Sequence, residues 1–116
     1  MRKAEPMANI TNEHEALVRR ILEGDARATH AQRRAAFDNS GLTRPLRTLT
    51  EKVAKHAYKV TDEDIAAARS SGLSEDQIFE LAVCAAVGQA TRQYETALAA
   101  LEAATGGNPH ASRYPR

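Results

Sequence analysis

The sequence has few aromatic residues and almost no cysteine. Its 116 residues include no tryptophan, three tyrosines, two phenylalanines and one cysteine. A single cysteine excludes an internal disulfide framework and a cysteine-based zinc cluster. No apolar run reaches the length of a membrane span, so we expect a protein that does not cross a membrane. A short chain with so few large apolar side chains builds a thin core, which a partner subunit would complete.

The beginning of the chain also lacks the apolar stretch of a secretory signal. Met1, Arg2 and Lys3 are followed by polar residues, so we expect no cleavable leader and predict a cytoplasmic protein.

Positive and negative residues are nearly equal in number over the whole chain but are unevenly distributed along it. Residues 1–60 carry 12 Lys or Arg against 7 Asp or Glu, a net charge of +5, whereas residues 61–105 carry 2 against 8, a net charge of −6. Such polarity fits pairing between the two halves or between subunits, and also a nucleic-acid face. Of these alternatives we favour pairing.

The pattern predicts an all-α fold of about five helices. There are 23 alanines, no segment alternates as a strand does, and capping signals precede the periodic stretches. The predicted helices are Asn12 to Glu23, Thr29 to the turn at 39–41, Pro45 to about Tyr58, Thr61 to Gly72, and Ser74 to Gly106. We expect residues 1–10 to fray, 11–105 to form one domain and 106–116 to be a disordered tail.

Asn12, with Glu15 three residues on, is the predicted cap of the first helix, and three further starts have the residue pattern of a capping box. Thr29 is followed by Gln32, Thr61 by Asp64, and Ser74 by Gln77. In the second helix the apolar content is mostly alanine, and we place Arg33 and Arg34 on its outward side.

The last predicted helix is long and apolar on two sides. About 30 residues span about 45 Å, more than the diameter of a globule of this size. Its main seam consists of Phe79, Val83, Ala86, Ala90, Tyr94, Ala97 and Leu101. Gly88 costs about 1 kcal/mol relative to alanine, which indicates close approach of another helix, in this chain or a second copy. We therefore expect a homo-oligomer formed through this helix.

Glu80 is the first candidate for chemistry because it lies between two apolar residues of the long helix. A carboxyl group in such a setting is either paired or has a raised pKa, which suits a general acid or base. The structural alternatives are an exposed side chain or an ion pair with Arg92, Arg69 or Lys55.

Cys84 and the histidines have weaker arguments for a chemical role than Glu80. Cys84 lies one turn after Glu80, where burial and a nearby carboxylate raise the pKa of the thiol, so we expect a small buried side chain and not a nucleophile. His56 lies near the end of the third predicted helix, a position typical of helix capping. The histidines lack metal-ligand spacing, so we expect neither a metal nor a cofactor.

Residues 65–87 also have the outline of a helix-turn-helix. The start of its second helix would carry Glu75, Asp76 and Glu80, which repel phosphate. Nucleic-acid binding is accordingly the least favoured alternative.

Three neighbouring segments carry a family resemblance: Val60-Thr61-Asp62-Glu63-Asp64-Ile65, then Ser71-Gly72-Leu73-Ser74-Glu75-Asp76-Gln77-Ile78-Phe79-Glu80-Leu81-Ala82-Val83, and then Ala85-Ala86-Val87-Gly88. Together they resemble the carboxymuconolactone decarboxylase and AhpD-like alkylhydroperoxidase superfamily. The resemblance covers about residues 45–102. It implies an all-α, AhpD-like helical bundle that assembles through its long helices.

The resemblance also separates two branches. The peroxidase branch implies a C-x-x-C-x-x-x-H motif after the glutamate, and those positions are Arg92, Glu95 and Ala99 here. Dithiol chemistry needs both thiols, so that branch is excluded. The decarboxylase branch implies a dianionic lactone substrate, with Glu80 as candidate acid or base and His56 as a second catalytic candidate. Arg92, or His56 together with arginines of the basic N-terminal half, are the candidate anion ligands. A non-catalytic oligomeric binding or assembly protein is the alternative.

Overall fold

Five α-helices and one 3-10 turn make up the part of the chain that the structure describes. The computed structural model describes residues 6–106, with side chains described from Asn12 onward, so the predicted tail lies outside the described residues except for Gly106. The helices are α1 Pro6–Glu23, α2 His30–Asp38, α3 Leu46–Lys55, α4 Asp62–Ser70 and α5 Glu75–Ala104, with the 3-10 turn at Ala57–Lys59. Residues 6–106 contain no strand, and the predicted all-α fold with one long final helix is confirmed.

Capping boxes set the starts of three helices. The side chains of Thr29, Thr61 and Ser74 each accept a hydrogen bond from the backbone N–H three residues later, at 3.0–3.2 Å. The side chain at that third position accepts one in return from the backbone N–H of the cap residue. Each box satisfies N–H groups that a helix start leaves without partners. All three predicted boxes are confirmed.

Two predicted helix ends are wrong. α1 begins at Pro6 and not at Asn12, because proline supplies a preset backbone angle for a first helical turn. α3 ends at Lys55 and not near Tyr58, because His56 leaves the helical conformation at φ −149°. The 3-10 turn that follows brings Val60 back against the core.

The core lies where α5 meets the other helices. Its buried apolar residues are Leu22, Ala28, Ala36, Phe37, Leu46, Leu49, Ala68, Ile78, Leu81, Cys84 and Ala85. α5 packs against all four other α-helices, and its last buried residue is Gly88. The second half of α5 therefore has no fully buried residue.

Gly88 marks the closest approach between two helices. A Cβ atom there would overlap the backbone of Phe37, at the end of α2. The expected close approach is confirmed, and the approaching helix belongs to the same chain.

Candidate functional site

Glu80 holds the loop between α1 and α2 against α5. Its Oε1 accepts hydrogen bonds from the backbone N–H groups of Arg27 at 2.9 Å and Ala28 at 2.7 Å, and its Oε2 accepts one from Arg27 at 3.0 Å. These amides directly precede the N-cap of α2, where negative charge is favoured. Among the described residues Glu80 has no ion-pair partner, so none of the three cations considered from the sequence binds it.

The carboxylate of Glu80 keeps one acceptor position. A carboxylate has about four lone-pair sites, and three hydrogen bonds occupy Oε1 twice and Oε2 once. Gln77 strengthens the arrangement, because its side chain donates to the backbone oxygen of Arg27 at 3.3 Å. Glu80 is thus fixed in orientation while Oε2 retains one place for a proton or a hydrogen bond.

Arg33 is buried, with only 3 % of its surface exposed. The prediction that it faces outward is wrong. Its Nη1 donates to the backbone oxygens of Ile21 at 3.2 Å and Gly24 at 2.8 Å. These carbonyls end α1, where a helix leaves acceptors without partners, and the guanidinium supplies the donor. Arg34, by contrast, lies outward and pairs with Asp38.

Hydrogen bonding of Arg33 is incomplete. Its Nε is buried and has no acceptor among the described residues. No carboxylate of those residues forms an ion pair with its guanidinium either. A cation removed from water without a paired anion is unfavourable.

Glu80 and Arg33 line one open depression of about 180 Å³. Its lining residues are Arg20, Ile21, Asp25, Ala26, Arg33, Phe79, Glu80, Val83 and Cys84. The depression combines an apolar wall with two arginines and two carboxylates.

Cys84 belongs to this depression but is only 1 % exposed. Its Sγ lies 3.7 Å from the backbone oxygen of Ile21. Burial raises the pKa of the Cys84 thiol, the charge of Arg33 opposes that shift, and the charge of Glu80 adds to it. The prediction of a small buried side chain at Cys84 is confirmed. The charges of Arg33 and Glu80 thus both lie close enough to Cys84 to shift the pKa of its thiol.

Arg92 does not line this depression. It lies twelve residues after Glu80 on α5, about 18 Å along the helix axis. Its Nη1 donates to the backbone oxygen of Phe37 at the end of α2, and its Nη2 donates to Gln89 at 3.1 Å. Arg92 is thereby engaged at the opposite end of α2 from Glu80.

His56 lies elsewhere again. It is the exposed residue that ends α3, and its ring meets that of Tyr58 edge-on at 6.1 Å. The structure therefore does not bring Glu80, Arg92 and His56 together. It places Arg20 and Arg33, two arginines of the basic N-terminal half, in the depression that Glu80 lines.

The sequence carries a signal for Arg33 that the outward assignment missed. Arg33 lies three residues before Ala36 and four before Phe37, so all three share the buried face of α2. An arginine on the same helix face as core residues indicates a buried guanidinium that needs a hydrogen-bond partner inside the protein.

Comparisons with models of known families, with curated proteins and with solved structures gave no match. Within residues 6–106 no helix combines the length and apolarity that crossing a bilayer requires. In the same part of the chain, no three potential metal ligands among His, Cys, Asp and Glu gather in one place.

Proposed function

We propose that this chain is a carboxymuconolactone decarboxylase-like protein without the redox cysteine pair, which acts on a small anionic metabolite in the depression beside Glu80. The observation that carries the proposal is the Glu80 carboxylate, held by two backbone amides at the wall of that depression with one acceptor position free on Oε2. The proposal also includes a cytoplasmic homo-oligomer.

The geometry assigns separate tasks to the residues of the site. Decarboxylation breaks a carbon–carbon bond, releases carbon dioxide and leaves an electron pair on carbon that must take up a proton. Oε2 of Glu80 is the position for that proton transfer, because the amides fix Oε1 in its present role. In place of Arg92 and His56, Arg20 and Arg33 are the cations of the depression that face an anionic substrate.

Turnover of carboxylated lactones tests this proposal. The native protein and Glu80→Gln would be incubated with a panel of such lactones, and carbon dioxide release would be followed. Loss of a proton-transfer group reduces the rate by about 10²–10⁴-fold. The control is Glu95→Gln, an exposed glutamate on the same helix, which should keep the native rate. Equal rates for native protein and Glu80→Gln would contradict a catalytic role.

A non-catalytic assembly protein is the second candidate. It is favoured by the seam of α5, where Phe79 is 69 % and Leu101 47 % exposed, and where Ala86, Ala90 and Ala97 are also exposed. Exposed apolar surface of this extent is typical of interaction sites. Both candidate functions include self-association. Turnover of carboxylated lactones distinguishes them, because only the enzyme would catalyse it.

A further inference from the structure

We infer that the depression beside Glu80 binds a small monocarboxylate with an apolar body, and that Arg33 is the group that recognises its carboxylate. The inference rests on the proposed function only in placing the ligand in the same depression. Its argument is the hydrogen bonding and charge of Arg33.

The charge of Arg33 is not fully compensated within the described residues. The two carbonyls that it binds belong to the end of α1, which carries about half of a negative unit charge. Arg33 is 97 % buried, and no carboxylate of the described residues forms an ion pair with it. Glu80 does not serve as that partner, because its oxygens bind the amides of Arg27 and Ala28.

Donors of Arg33 also remain available. A guanidinium has five N–H donors, and those on Nη1 bind Ile21 and Gly24 while Nε has no acceptor. A carboxylate is the acceptor that an arginine binds best, because two oxygens can meet two of its donors. An anionic group in the depression, which Arg33 lines, would supply the missing charge and accept from the donors of Arg33 that it reaches.

The rest of the depression sets the size and character of the ligand. Its volume of about 180 Å³ limits the ligand to a small molecule. Ile21, Phe79 and Val83 give it an apolar wall. Arg20 and Asp25 are exposed, so salt and water screen their charges. The ligand class is therefore a compact carboxylic acid with an apolar ring or branched chain.

Cys84 gives a direct readout, because it is the sole cysteine and lines the depression. The native protein would be treated with the neutral reagent N-ethylmaleimide, with benzoate or benzyl alcohol as probe, and modification would be followed by mass spectrometry. Benzoate at ten times its Kd should slow modification about tenfold. Benzyl alcohol at the same concentration should leave the rate unchanged. Equal slowing by both probes, or by neither, would overturn the inference.

Variants locate the recognising group. Arg33→Gln should weaken protection by benzoate at least about tenfold, whereas Arg34→Gln, which removes an exposed arginine next to it, should leave it unchanged. If Arg33→Gln does not fold, Val83→Phe replaces it as the test. That change fills the depression and should abolish protection, while Ala99→Phe at an exposed position of α5 should not. Protection that survives in folded Arg33→Gln, or in Val83→Phe, would overturn the inference.

The two proposals fail in different ways. If benzoate protects Cys84 through Arg33 while no carboxylated lactone is turned over, the binding inference holds and the proposed activity is wrong. If lactones are turned over while benzoate leaves Cys84 unprotected, the activity holds and the inference is overturned.

Discussion

At the residue scale, Glu80 and Arg33 bind backbone groups and not each other. Glu80 binds the amides that precede α2, and Arg33 binds the carbonyls that end α1. The Glu80 contact holds the loop of residues 24–29 against α5, and the Arg33 contact joins the end of α1 to α2. The apolar neighbours of Glu80 in the sequence indicated an unusual environment. They could not show that its partners are backbone amides more than 50 residues away.

Removing the charge of Glu80 should therefore destabilise the fold. In Glu80→Gln the amide oxygen still accepts, but the NH₂ group faces an N–H donor. Loss of charge-assisted hydrogen bonds to buried groups costs about 1–3 kcal/mol. Urea denaturation followed by circular dichroism would measure the change, with Glu95→Gln expected within about 0.5 kcal/mol of the native protein. Equal stability of the two variants would show that the amide contacts do not hold the loop.

Cys84 should react slowly in the native protein. Its thiol is 1 % exposed and burial raises its pKa, and only the thiolate attacks a maleimide efficiently. At pH 8 we expect modification by N-ethylmaleimide to be at least about a hundredfold slower than in urea. The reason is that the reagent reaches Cys84 in the folded protein only when the surrounding structure opens transiently. Rapid modification of the folded protein would contradict this description of the site.

At the element scale, local capping chemistry determines most helix starts. Thr29, Thr61 and Ser74 could be assigned from the sequence because a capping box involves residues only three positions apart. The same kind of signal, Asn12 with Glu15, points to a wrong start for α1, and at the end of α3 the cap contact of His56 comes from its backbone N–H, which the sequence does not reveal. The turn after α3 depends instead on packing of Val60 against the core.

The contact between α2 and α5 requires glycine at position 88. Gly88→Ala would force a methyl group into the backbone of Phe37, and overpacking of this kind costs about 1–3 kcal/mol or more. Thermal unfolding should show a lower Tm for Gly88→Ala, whereas Ala90→Ser at an exposed position two residues later should change Tm little. An unchanged Tm in Gly88→Ala would mean that the two helices do not meet as described.

An ion pair between α3 and α4 should make stability depend on acid pH. Lys52 Nζ lies 2.8 Å from Asp64 Oδ2, which also accepts from the backbone N–H of Thr61. The hydrogen bond from Lys52, followed by that from Thr61, holds the pKa of Asp64 below its ordinary value of 3.8. Since the unfolded chain binds that proton more readily, the stabilising contribution is complete above the ordinary value and is lost as pH falls through the lower folded value.

Comparing variants isolates this contribution. Asp64→Asn should reduce the free energy of unfolding at pH 7 and flatten its fall between pH 5 and 2, relative to native protein. Asp62→Asn, an exposed residue of the same first turn, should leave that pH dependence in place. Parallel curves for native protein and Asp64→Asn would contradict the lowered pKa.

At the scale of the whole molecule, α5 joins two different surfaces. Ile78, Leu81 and Ala85 are buried against the chain's own helices, whereas the seam from Phe79 to Leu101 lies largely exposed. The two apolar sides were visible in the sequence. Which of them the chain covers itself depends on how α1 to α4 pack, which periodicity alone cannot give. The ion pair of Lys52 and Asp64 likewise joins the basic and acidic halves within one chain.

The seam predicts self-association. Leu101→Glu places a charge among its apolar residues and should shift the protein toward monomer in sedimentation velocity measurements. Ala99→Glu adds the same charge about 160° away around the helix, at about 100° per residue, and should leave the distribution unchanged. A monomeric native protein, or equal behaviour of the two variants, would contradict assembly through this seam.

The central claim is that the depression beside Glu80 is where a small anionic substrate binds. The most direct test is to record backbone amide NMR shifts while a carboxylated lactone is added to the native protein. The account predicts that the largest changes occur at Arg27 and Ala28, whose amides bind Glu80, and at Val83 on the wall. Largest changes near Arg92 and Phe37, near His56, or at no position would contradict it.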